Sequence, residues 1–333
     1  MNQSGEDGYW NDARVLITGA NGFVGSWISK ALISAGATVH GLLRDHIPRS
    51  IFSLHDLEKQ VTCIHGELEN YSLIKRILNE YEIEHVFHVG GQSIVGAAVK
   101  MPRKTITSNI LGTTNILEAC RQLDDQVKGI VIASSDKVYG TGESLPFTET
   151  DPLNAMYPYD VSKSGVDLLS QAYSKTYDMP ITITRCANIY GGGDFNPSRL
   201  IPGVILAALK DKVPILRSDG NFIRDFIHVE DVTRIYLLLG ERASDKGVQG
   251  EAFNFSYEVR KTVLEVVEKI LNLLGRDHVS PKILNTARFE IRNQYLSCKK
   301  AREVLSWEPV LSFDEGLVAT IEWYKSHLKL FGT

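Results

Sequence analysis

The sequence has 333 residues, of which 43% are hydrophobic and 23% are charged, and its formal net charge is −4. This composition is that of an ordinary globular protein, and it excludes the disordered, fibrous and membrane-spanning classes. Because 36 Lys and Arg stand against 40 Asp and Glu, the charge balance also argues against nucleic acid as the main partner.

Short apolar runs alternate with helical stretches from residue 14 to residue 190. The pattern predicts strands at 14–19, 38–43, 61–66, 85–90, 129–135 and 181–190, and helices at 27–36, 71–81, 107–122 and 159–177. The strand runs are apolar throughout, as in strands that are covered on both faces. The predicted fold class is therefore α/β, with a Rossmann-type doubly wound parallel sheet.

The texture of the sequence changes after residue 190. A loop rich in Gly and Pro at 191–202 leads to a helix near 204–209 and then to shorter, less regular elements. We predict a first domain at 1–190 and a smaller C-terminal α+β domain at 191–333. The segment near 224–256 holds a strand and an apolar helix, and we expect it to return to the first domain.

A glycine-rich turn follows the first predicted strand and opens the first helix. Gly19 allows a tight turn, Gly22 lets the backbone approach a pyrophosphate, and Gly25 lets the helix lie close to the strand. This context predicts dinucleotide binding, and a strand-to-helix turn without a ligand is the structural alternative. The residues assigned to the cofactor at this turn are Gly19, Asn21, Gly22, Phe23, Val24 and Gly25.

Two further motifs point to chemistry. Tyr159 and Lys163 share one face of a predicted helix, and a nearby ammonium lowers the pKa of a phenol so that it can act as a base. Ser135, Asp136 and Lys137 stand at the end of the strand at 129–135, at the sheet edge where ligands of open α/β sheets bind. A solvated Tyr–Lys pair and a turn-forming aspartate are the alternatives.

These motifs resemble the extended branch of the short-chain dehydrogenase/reductase superfamily, whose members act on nucleotide sugars. The resemblance rests on the GxxGxxG spacing at 19–25, on the YxxxK pair and on the stretch KKAREVLSWEP at 299–309, and it runs from residue 14 to about residue 324. It implies a tightly bound NAD(P)+ that is regenerated in each turnover, a nucleoside-diphosphate sugar as substrate, and a homodimer. It also places Tyr159 and Lys163 against the cofactor.

Two other segments resemble the family's contacts to the adenosine end of the cofactor. Arg44 stands where NAD-binding members usually show an acidic residue, so the sequence slightly favours NADP over NAD through a contact to the 2′-phosphate. A solvated loop arginine is the alternative. Glu67 and Leu68 resemble the family's contact to adenine, with Glu in place of Asp.

The residues after Ser135 indicate which reaction is catalysed. Nucleotide-sugar 4,6-dehydratases carry an acid pair there, and this chain has Asp136 and Lys137, much as in CDP-glucose and some UDP-N-acetylglucosamine 4,6-dehydratases. The implied reaction oxidises C4 with Tyr159 as base and Ser135 as its partner, eliminates water across C5 and C6 with Asp136 as acid, and returns hydride to C6. A desolvated Lys137 is favoured as the C5 base, while a charged Lys137 that stabilises the enolate, and a plain surface lysine, stay open.

The resemblance also assigns residues to the substrate, and no metal is implied. They are Gln92, Asn109, Asn188, Arg199, Arg224 and Arg292. Convergent arginines suit a diphosphate, although a surface salt bridge for the arginines and a turn-forming role for Asn188 are alternatives. We expect UDP-N-acetylglucosamine as substrate, with CDP-glucose next, because the stretch at 224–231 resembles the uridine and thymidine branches.

Two rival functions remain at this point. A 4-epimerase or 4-reductase would use the same Ser135, Tyr159 and Lys163 without needing Asp136, whereas a non-enzymatic NAD(P)-binding protein would need none of them. Val166, Leu169 and Tyr173 are candidates for a dimer face, although an internal core contact explains them equally well. The polar, acidic start of the chain lacks the pattern of a signal peptide, so we expect a cytoplasmic protein with no membrane partner.

Overall fold

A computed structural model describes residues 8–142 and 145–332, apart from the side chain of Asp124. Residues 1–7, which contribute to the prediction of a cytoplasmic location, lie outside that description. Over the described residues no helix combines the length and the apolar character needed to cross a bilayer, and the four cysteines are free thiols.

Seven parallel strands form the central sheet, in the order β11-β6-β5-β4-β1-β2-β3. The strands of this sheet are β1 (Arg14–Thr18), β2 (Thr38–Leu43), β3 (Thr62–His65), β4 (His85–His88), β5 (Gly129–Ala133), β6 (Ile181–Cys186) and β11 (Ala252–Phe255). The order runs outward in both directions from the neighbouring pair β1 and β4, which is the pattern of a doubly wound sheet. The predicted fold class is confirmed.

Helices cover both faces of this sheet. The helices are α1 (Phe23–Ser34), α2 (Ile51–Leu54), α3 (Tyr71–Glu80), α4 (Val95–Lys100), α5 (Pro102–Ile106), α6 (Gly112–Arg121), α7 (Pro158–Tyr177), α8 (Leu200–Leu209), α9 (Val229–Glu241), α10 (Val263–Leu273), α11 (Lys299–Leu305) and α12 (Phe313–Ser326). A π-helical turn at Thr107–Leu111 joins α5 to α6 in one continuous helix. Helices α1 and α9 pack on one face, and α3, α6 and α7 pack on the other.

The alternation of side chains along each strand explains this layering. In β5, Val131 joins the core on the α1 side while Ile130 and Ile132 join the core on the α6 side, and each is fully buried. Burying one such side chain contributes roughly 1.5–3 kcal/mol. The continuous apolar runs of the sequence therefore reflect two separate cores on either side of one sheet.

One predicted strand is divided in the structure. The run at 181–190 breaks at Ala187, whose backbone N–H donates to the carbonyl of Phe255, and the chain continues as β7 (Asn188–Tyr190) in a different sheet. Here β7 pairs with β10 (Phe226–His228). The sequence pattern does not reveal this change, because apolar residues occur on both sides of the break, although β6 is fully buried and β7 only partly.

The remaining elements form a smaller region around a third core from α8, α10 and α12. Its short strands are β8 (Ile215–Leu216), β9 (Ile223–Arg224), β12 (Lys261–Thr262) and β13 (Lys282–Ile283), which pair as β9 with β12 and β8 with β13. From the same half of the chain, β11 pairs with β6 at the edge of the large sheet, with Phe255 opposite Cys186. The division of the chain at residue 190 stays a prediction.

Candidate active site

A cavity of about 1360 Å³ opens between the carboxyl ends of the central strands and the smaller region. Its wall includes Gly19 and Val89 after β1 and β4, Ser135 after β5, and Arg224 and Ile291 from the smaller region. Ligand pockets commonly measure about 300–1,000 Å³. This cavity is large enough for two ligands that meet end to end.

The glycine turn forms one end of the cavity. Gly19 has φ +68°, and a Cβ at this position would lie 2.9 Å from the Cα of Gly90. A Cβ on Gly25 would lie 2.2 Å from the carbonyl oxygen of Gly19, so only glycine lets α1 begin this close to β1. The N-cap, Gly22, supplies no side-chain cap and the first turn of α1 has no acidic residue, so the positive end of the helix faces the cavity.

The end of β2 carries both a cation and an anion at the cavity wall. Arg44 Nε donates to Asp45 Oδ2 at 2.5 Å, and Asn21 Nδ2 donates to the backbone carbonyl of Asp45 at 2.7 Å. Both Arg44 and Asp45 line the cavity. The acidic residue that the sequence analysis missed at this strand end therefore stands one position after Arg44.

The turn after β5 presents Ser135, Asp136 and Lys137 to the cavity. Ser135 begins a 3₁₀ turn, accepting a hydrogen bond from the Lys137 N–H at 3.2 Å and donating to Asp136 Oδ1 at 3.1 Å. Asp136 is 3% exposed, so its carboxyl group is shielded from bulk water. Lys137 Nζ lies 3.1 Å from Asp136 Oδ2.

Tyr159 and Lys163 lie in the first two turns of α7, and both are buried at the cavity wall. Burial raises the pKa of Tyr159 to about 12, although a hydrogen bond with Ser135 opposes this shift. Burial also lowers the pKa of Lys163 to about 8, and its Nζ donates to the carbonyl of Ala133 at 2.6 Å. The expected lowering of the phenol pKa is therefore absent in the free protein, because desolvation outweighs the favourable contacts.

A further carboxyl group lies beside this pair. Asp160 lines the cavity and is 2% exposed. Burial raises its pKa to about 6; the ammonium of Lys137 opposes this shift, whereas Asp136 adds to it. The sequence analysis passed over Asp160 because it sits inside the YxxxK motif.

Three of the predicted substrate residues line the cavity, namely Asn188, Arg199 and Arg224. Arg199 lies over the ring of Phe23, 5.9 Å from its centroid, beside the glycine turn. Asn188 Nδ2 donates to the carbonyl of Asp225 at 2.8 Å, and Arg199 Nη1 pairs with the buried Asp194 at 2.9 Å.

Arg224 is itself buried, with protein partners on both of its terminal guanidinium nitrogens, Nη1 and Nη2. Its Nη1 donates to the backbone carbonyl of Arg292 at 3.1 Å, and its Nη2 lies 3.3 Å from Glu290 Oε2. The arginines are therefore placed for an anion, and protein oxygens occupy them in the free protein.

The structure places four predicted site residues outside the cavity wall. Glu67 pairs with Lys104 at 3.0 Å. Asn109, in the π-helical turn, is buried. It accepts a hydrogen bond from the Gln92 N–H and donates one to the Gln92 carbonyl, so the contact between these two residues stabilises the fold. The Arg292 side chain is 66% exposed and lies 3.5 Å from Asp219, so only its carbonyl reaches the site, through Arg224.

Two further groups of buried residues lie beside the sheet. His88 is enclosed, with Thr18 Oγ1 at 2.8 Å and Thr113 Oγ1 at 2.9 Å, and burial lowers its pKa to about 3. These contacts make it a packed strand histidine. The candidate dimer face is the second group. Val166 is 1% exposed and packs in the internal core, with Leu169 and Tyr173 packed against it, so these residues make an internal core contact.

Gln294 and Glu290 also belong to the site, and sequence reasoning missed both. Gln294 is fully buried, accepts a hydrogen bond from Lys137 Nζ and donates from Nε2 to the carbonyl of Asp136 at 2.6 Å. Glu290 lines the cavity beside Arg224. Neither carries a local signal, since each acts on residues far away in the sequence.

The donor set suits a dinucleotide and not a metal ion. A helix N-terminus without a capping carboxylate, a turn open only to glycine, and the Arg44–Asp45 pair fit the pyrophosphate and ribose of NAD(P)+. Among residues 8–142 and 145–332 no cluster of three or more His, Cys, Asp or Glu side chains could hold a metal ion.

Comparison with known proteins agrees with this geometry. The family model described as GDP-mannose 4,6 dehydratase matches residues 16–320. A curated relative, the CDP-glucose 4,6-dehydratase of Salmonella typhimurium, is 29% identical, and the alignment covers 96% of this chain and 93% of the relative.

Two solved structures represent two activities on the same fold. A double mutant of the dTDP-glucose 4,6-dehydratase DesIV from Streptomyces venezuelae, crystallised with NAD, has a TM-score of 0.86 and 28% identity, covering 96% of this chain and 98% of that chain. The UDP-glucose 4-epimerase of Thermotoga maritima, with UDP-glucose, also has a TM-score of 0.86, with 27% identity over 95% of this chain and 99% of that chain. The fold is therefore shared by dehydratases and epimerases, and the site residues must decide between them.

Proposed function

The chain belongs to the nucleotide-sugar 4,6-dehydratases of the extended short-chain dehydrogenase/reductase superfamily, and from this premise we propose that its cavity removes water from the hexose of a nucleoside-diphosphate sugar. It is an NAD(P)-dependent hydro-lyase. The proposed product is the 4-keto-6-deoxy sugar, still attached to its nucleotide.

The observation that carries the proposal is the ion pair of the buried Asp136 with the half-buried Lys137, next to Ser135. Oxidation at C4 needs only the hydroxyl, phenol and amine of Ser135, Tyr159 and Lys163. Asp136 and Lys137 add an acid and an amine that C4 oxidation does not use, and both face the same cavity. Elimination of water requires such a pair, because one proton must leave C5 while another joins the departing hydroxyl.

The first half of the reaction belongs to Tyr159. Bound NAD(P)+ supplies the hydride acceptor at C4 and later the hydride donor at C6. Tyr159 takes the proton of the C4 hydroxyl, and Ser135 holds the same oxygen in place through its hydroxyl group. Lys163, which is buried, supplies positive charge near the end of β5 as the phenolate forms.

The second half belongs to Asp136 and Lys137. We propose that Asp136 protonates the leaving C6 hydroxyl, and that Lys137 takes the proton from C5 and returns a proton to C5 when hydride is added at C6. In the free protein Lys137 Nζ donates to a carboxylate and an amide oxygen, an arrangement that suits its ammonium form. The base role therefore needs Lys137 to pass a proton to Asp136 before it takes one from C5, and their separation of 3.1 Å allows that transfer.

The identity of the nucleotide and sugar is a proposal with two ranked candidates. The resemblance of the stretch at 224–231 to the uridine and thymidine branches favours UDP-N-acetylglucosamine. The Salmonella relative is named for CDP-glucose and aligns with 96% of this chain, which supports moving CDP-glucose to the first place. We propose CDP-glucose, with UDP-N-acetylglucosamine second.

The cofactor preference is also a proposal. Arg44 supports NADP+, because it lines the cavity just after β2, where its guanidinium could pair with a 2′-phosphate. Asp45 beside it supports NAD+, which is the cofactor crystallised with the Streptomyces enzyme. We keep the preference for NADP+ and expect Asp45 to permit NAD+ as well.

The expected homodimer needs a different face from the one suggested by the sequence. Val161 and Leu168 on α7 are 42% and 55% exposed, and Leu111 on the adjoining helix is 45% exposed. Apolar side chains on neighbouring helices suit a symmetric helix-to-helix contact. We propose this face for the homodimer and retain the prediction of a cytoplasmic location.

The test is to incubate the purified protein, without added cofactor, with CDP-glucose, UDP-N-acetylglucosamine, dTDP-glucose and GDP-mannose separately, and to record product masses. Loss of one water from one sugar establishes the dehydratase, its retained cofactor and its substrate together. An unchanged mass with inverted stereochemistry at C4 would replace the proposal by the 4-epimerase.

A further inference from the structure

We propose that Gln294 is a positioning residue for Lys137, so that the C-terminal half of the chain sets the geometry of the elimination step. This inference rests on the proposed function for its kinetic part only. Gln294 lies 157 positions from Lys137, yet its side-chain oxygen accepts a hydrogen bond from Lys137 Nζ.

The burial of Gln294 is the first argument. An amide at zero exposure is costly unless both of its ends are bonded, and Gln294 satisfies both ends within the catalytic turn. Its oxygen takes Lys137 Nζ, and its nitrogen donates to the Asp136 carbonyl at 2.6 Å. The two contacts hold Asp136 and Lys137, the residues that are proposed to catalyse the loss of water.

The second argument is how firmly the backbone of Gln294 is held. Its N–H donates to the carbonyl of Ile223 at 3.2 Å, and the Ile223 N–H donates to the carbonyl of Arg292 at 3.0 Å. Two residues further on, the Leu296 N–H donates to the buried carboxylate of Asp225 at 3.1 Å. A side chain on so well-anchored a segment can fix a flexible lysine to within a narrow range of positions.

The third argument concerns what Lys137 would do alone. A lysine has four rotatable side-chain bonds, and Lys137 pairs with the neighbouring Asp136, while the carboxyl group of Asp160 lies near enough to interact with it electrostatically. Without Gln294 the ammonium could swing around the Asp136 carboxylate. With Gln294 it is held between the Asp136 carboxylate and the Gln294 amide oxygen, which restricts its position at the cavity wall.

Two substitutions separate positioning from a purely structural role. Gln294→Met removes both hydrogen bonds at similar volume, whereas Gln294→Glu keeps an oxygen acceptor for Lys137, loses the donor to the Asp136 carbonyl and adds a carboxyl group beside Asp136. A structural role through that carbonyl would make the two variants equally damaging. Asn293→Leu, an exposed amide in the same segment, is the matched control.

The kinetic readout is the split between C4 oxidation and elimination. In a single turnover, Gln294→Met should still form the reduced nicotinamide, while water loss and deuterium exchange at C5 fall about 10²-fold, since a displacement of about 1 Å can cost that much. KM should change little. Gln294→Glu should eliminate at least about tenfold faster than Gln294→Met, because its acceptor still holds Lys137.

A double-mutant cycle tests whether Gln294 acts through Lys137. In a Lys137→Met background, adding Gln294→Met should cause no further loss of elimination. An additional loss in that background, or equal damage from the Glu and Met variants, would overturn the proposal.

A structural readout keeps this inference separate from the proposed function. Crystal structures of the free variants should show Lys137 Nζ displaced from Asp136 in Gln294→Met and retained in Gln294→Glu. An unmoved Lys137 in Gln294→Met would refute positioning whatever the enzyme catalyses. If the unmodified protein removes water from none of the nucleotide sugars, the proposed function fails, and these structures still decide the role of Gln294.

Discussion

The two ends of the cavity are built in different ways. At the cofactor end, six of the residues from Gly19 to Gly25 line the cavity with backbone and a helix terminus, and the first turn of α1 has no acidic residue. At the substrate end, the carboxylate of Glu290 pairs with the buried Arg224. Arg199, which pairs with Asp194, lies instead over the Phe23 ring beside the glycine turn. The cofactor end is thus preformed for its anion, while the substrate end holds an internal anion that a diphosphate must replace or accommodate.

The sharpest test of the site between these ends is Tyr159→Phe. Loss of the phenol hydroxyl should reduce C4 oxidation about 10²–10⁴-fold, because no other group in the site is proposed to take that proton. The measurement is the appearance of reduced nicotinamide in a single turnover. Tyr157→Phe, whose ring packs against Phe289, is the matched control and should keep normal oxidation.

Asp136→Asn tests the elimination step alone. The amide cannot protonate the leaving hydroxyl, so water loss should fall about 10²-fold or more while reduced nicotinamide still forms. Product mass and cofactor absorbance, followed on one sample, separate the two steps. A variant that keeps full turnover and changes only the configuration at C4 would favour the epimerase.

Gly25→Ala tests whether the cofactor end tolerates any side chain. The new Cβ would lie 2.2 Å from a backbone oxygen, so the turn must open. We expect a loss of stability of about 1–3 kcal/mol, measured by thermal unfolding, together with weaker retention of the cofactor. Gly96→Ala is the matched control in α4, where a new Cβ would meet no atom within 4 Å, and it should leave stability unchanged or raise it.

Arg44→Ala tests the proposed preference for NADP+. Loss of a charged contact to the 2′-phosphate is worth roughly 1.5 kcal/mol or more, so NADP+ should bind about tenfold more weakly while NAD+ is little affected. Asp45→Asn is the counterpart, which should weaken NAD+ more than NADP+. Equilibrium titrations of cofactor-free protein give both ratios, and equal losses for the two cofactors would remove Arg44 from the phosphate site.

Glu290→Gln tests the substrate end, with the smallest expected effect. The pair with Arg224 is partly exposed and is worth at most about 1 kcal/mol, so removing the carboxylate should tighten binding of the nucleotide sugar up to about fivefold. Added salt should shrink the difference. Glu308→Gln makes the same charge change away from the cavity, and an equal effect there would point to the net charge of the protein instead.

The cofactor end and the catalytic turn could be predicted from the sequence, because the residues that form each of them are neighbours in the chain. Tyr159 and Lys163 share a helix face by spacing alone, and Ser135 to Lys137 follow one strand. Gln294 could not be found in this way, because its partners lie 157 positions away and no periodicity links them.

Arg292 shows a different limit of sequence reasoning. Its position pointed to the diphosphate, but the exposed side chain faces Asp219 and only its backbone carbonyl touches Arg224. Sequence reasoning assigned the side chain of Arg292 to the site, whereas the structure uses its main-chain carbonyl. The break in the strand predicted at 181–190 shows a further limit. Apolar patterning predicts that a strand is buried, but it does not identify the sheet to which the strand belongs.

The edge strand β11 has a consequence for how the protein can be cut. Residues Ala252–Phe255 close the open side of β6, whose six residues are all buried. A fragment that stops near residue 190 would leave β6 with a bare row of backbone donors and acceptors and an apolar surface, the usual template for intermolecular strand pairing. Recombinant fragments ending there should precipitate, whereas coexpression with the complementary fragment should restore soluble material.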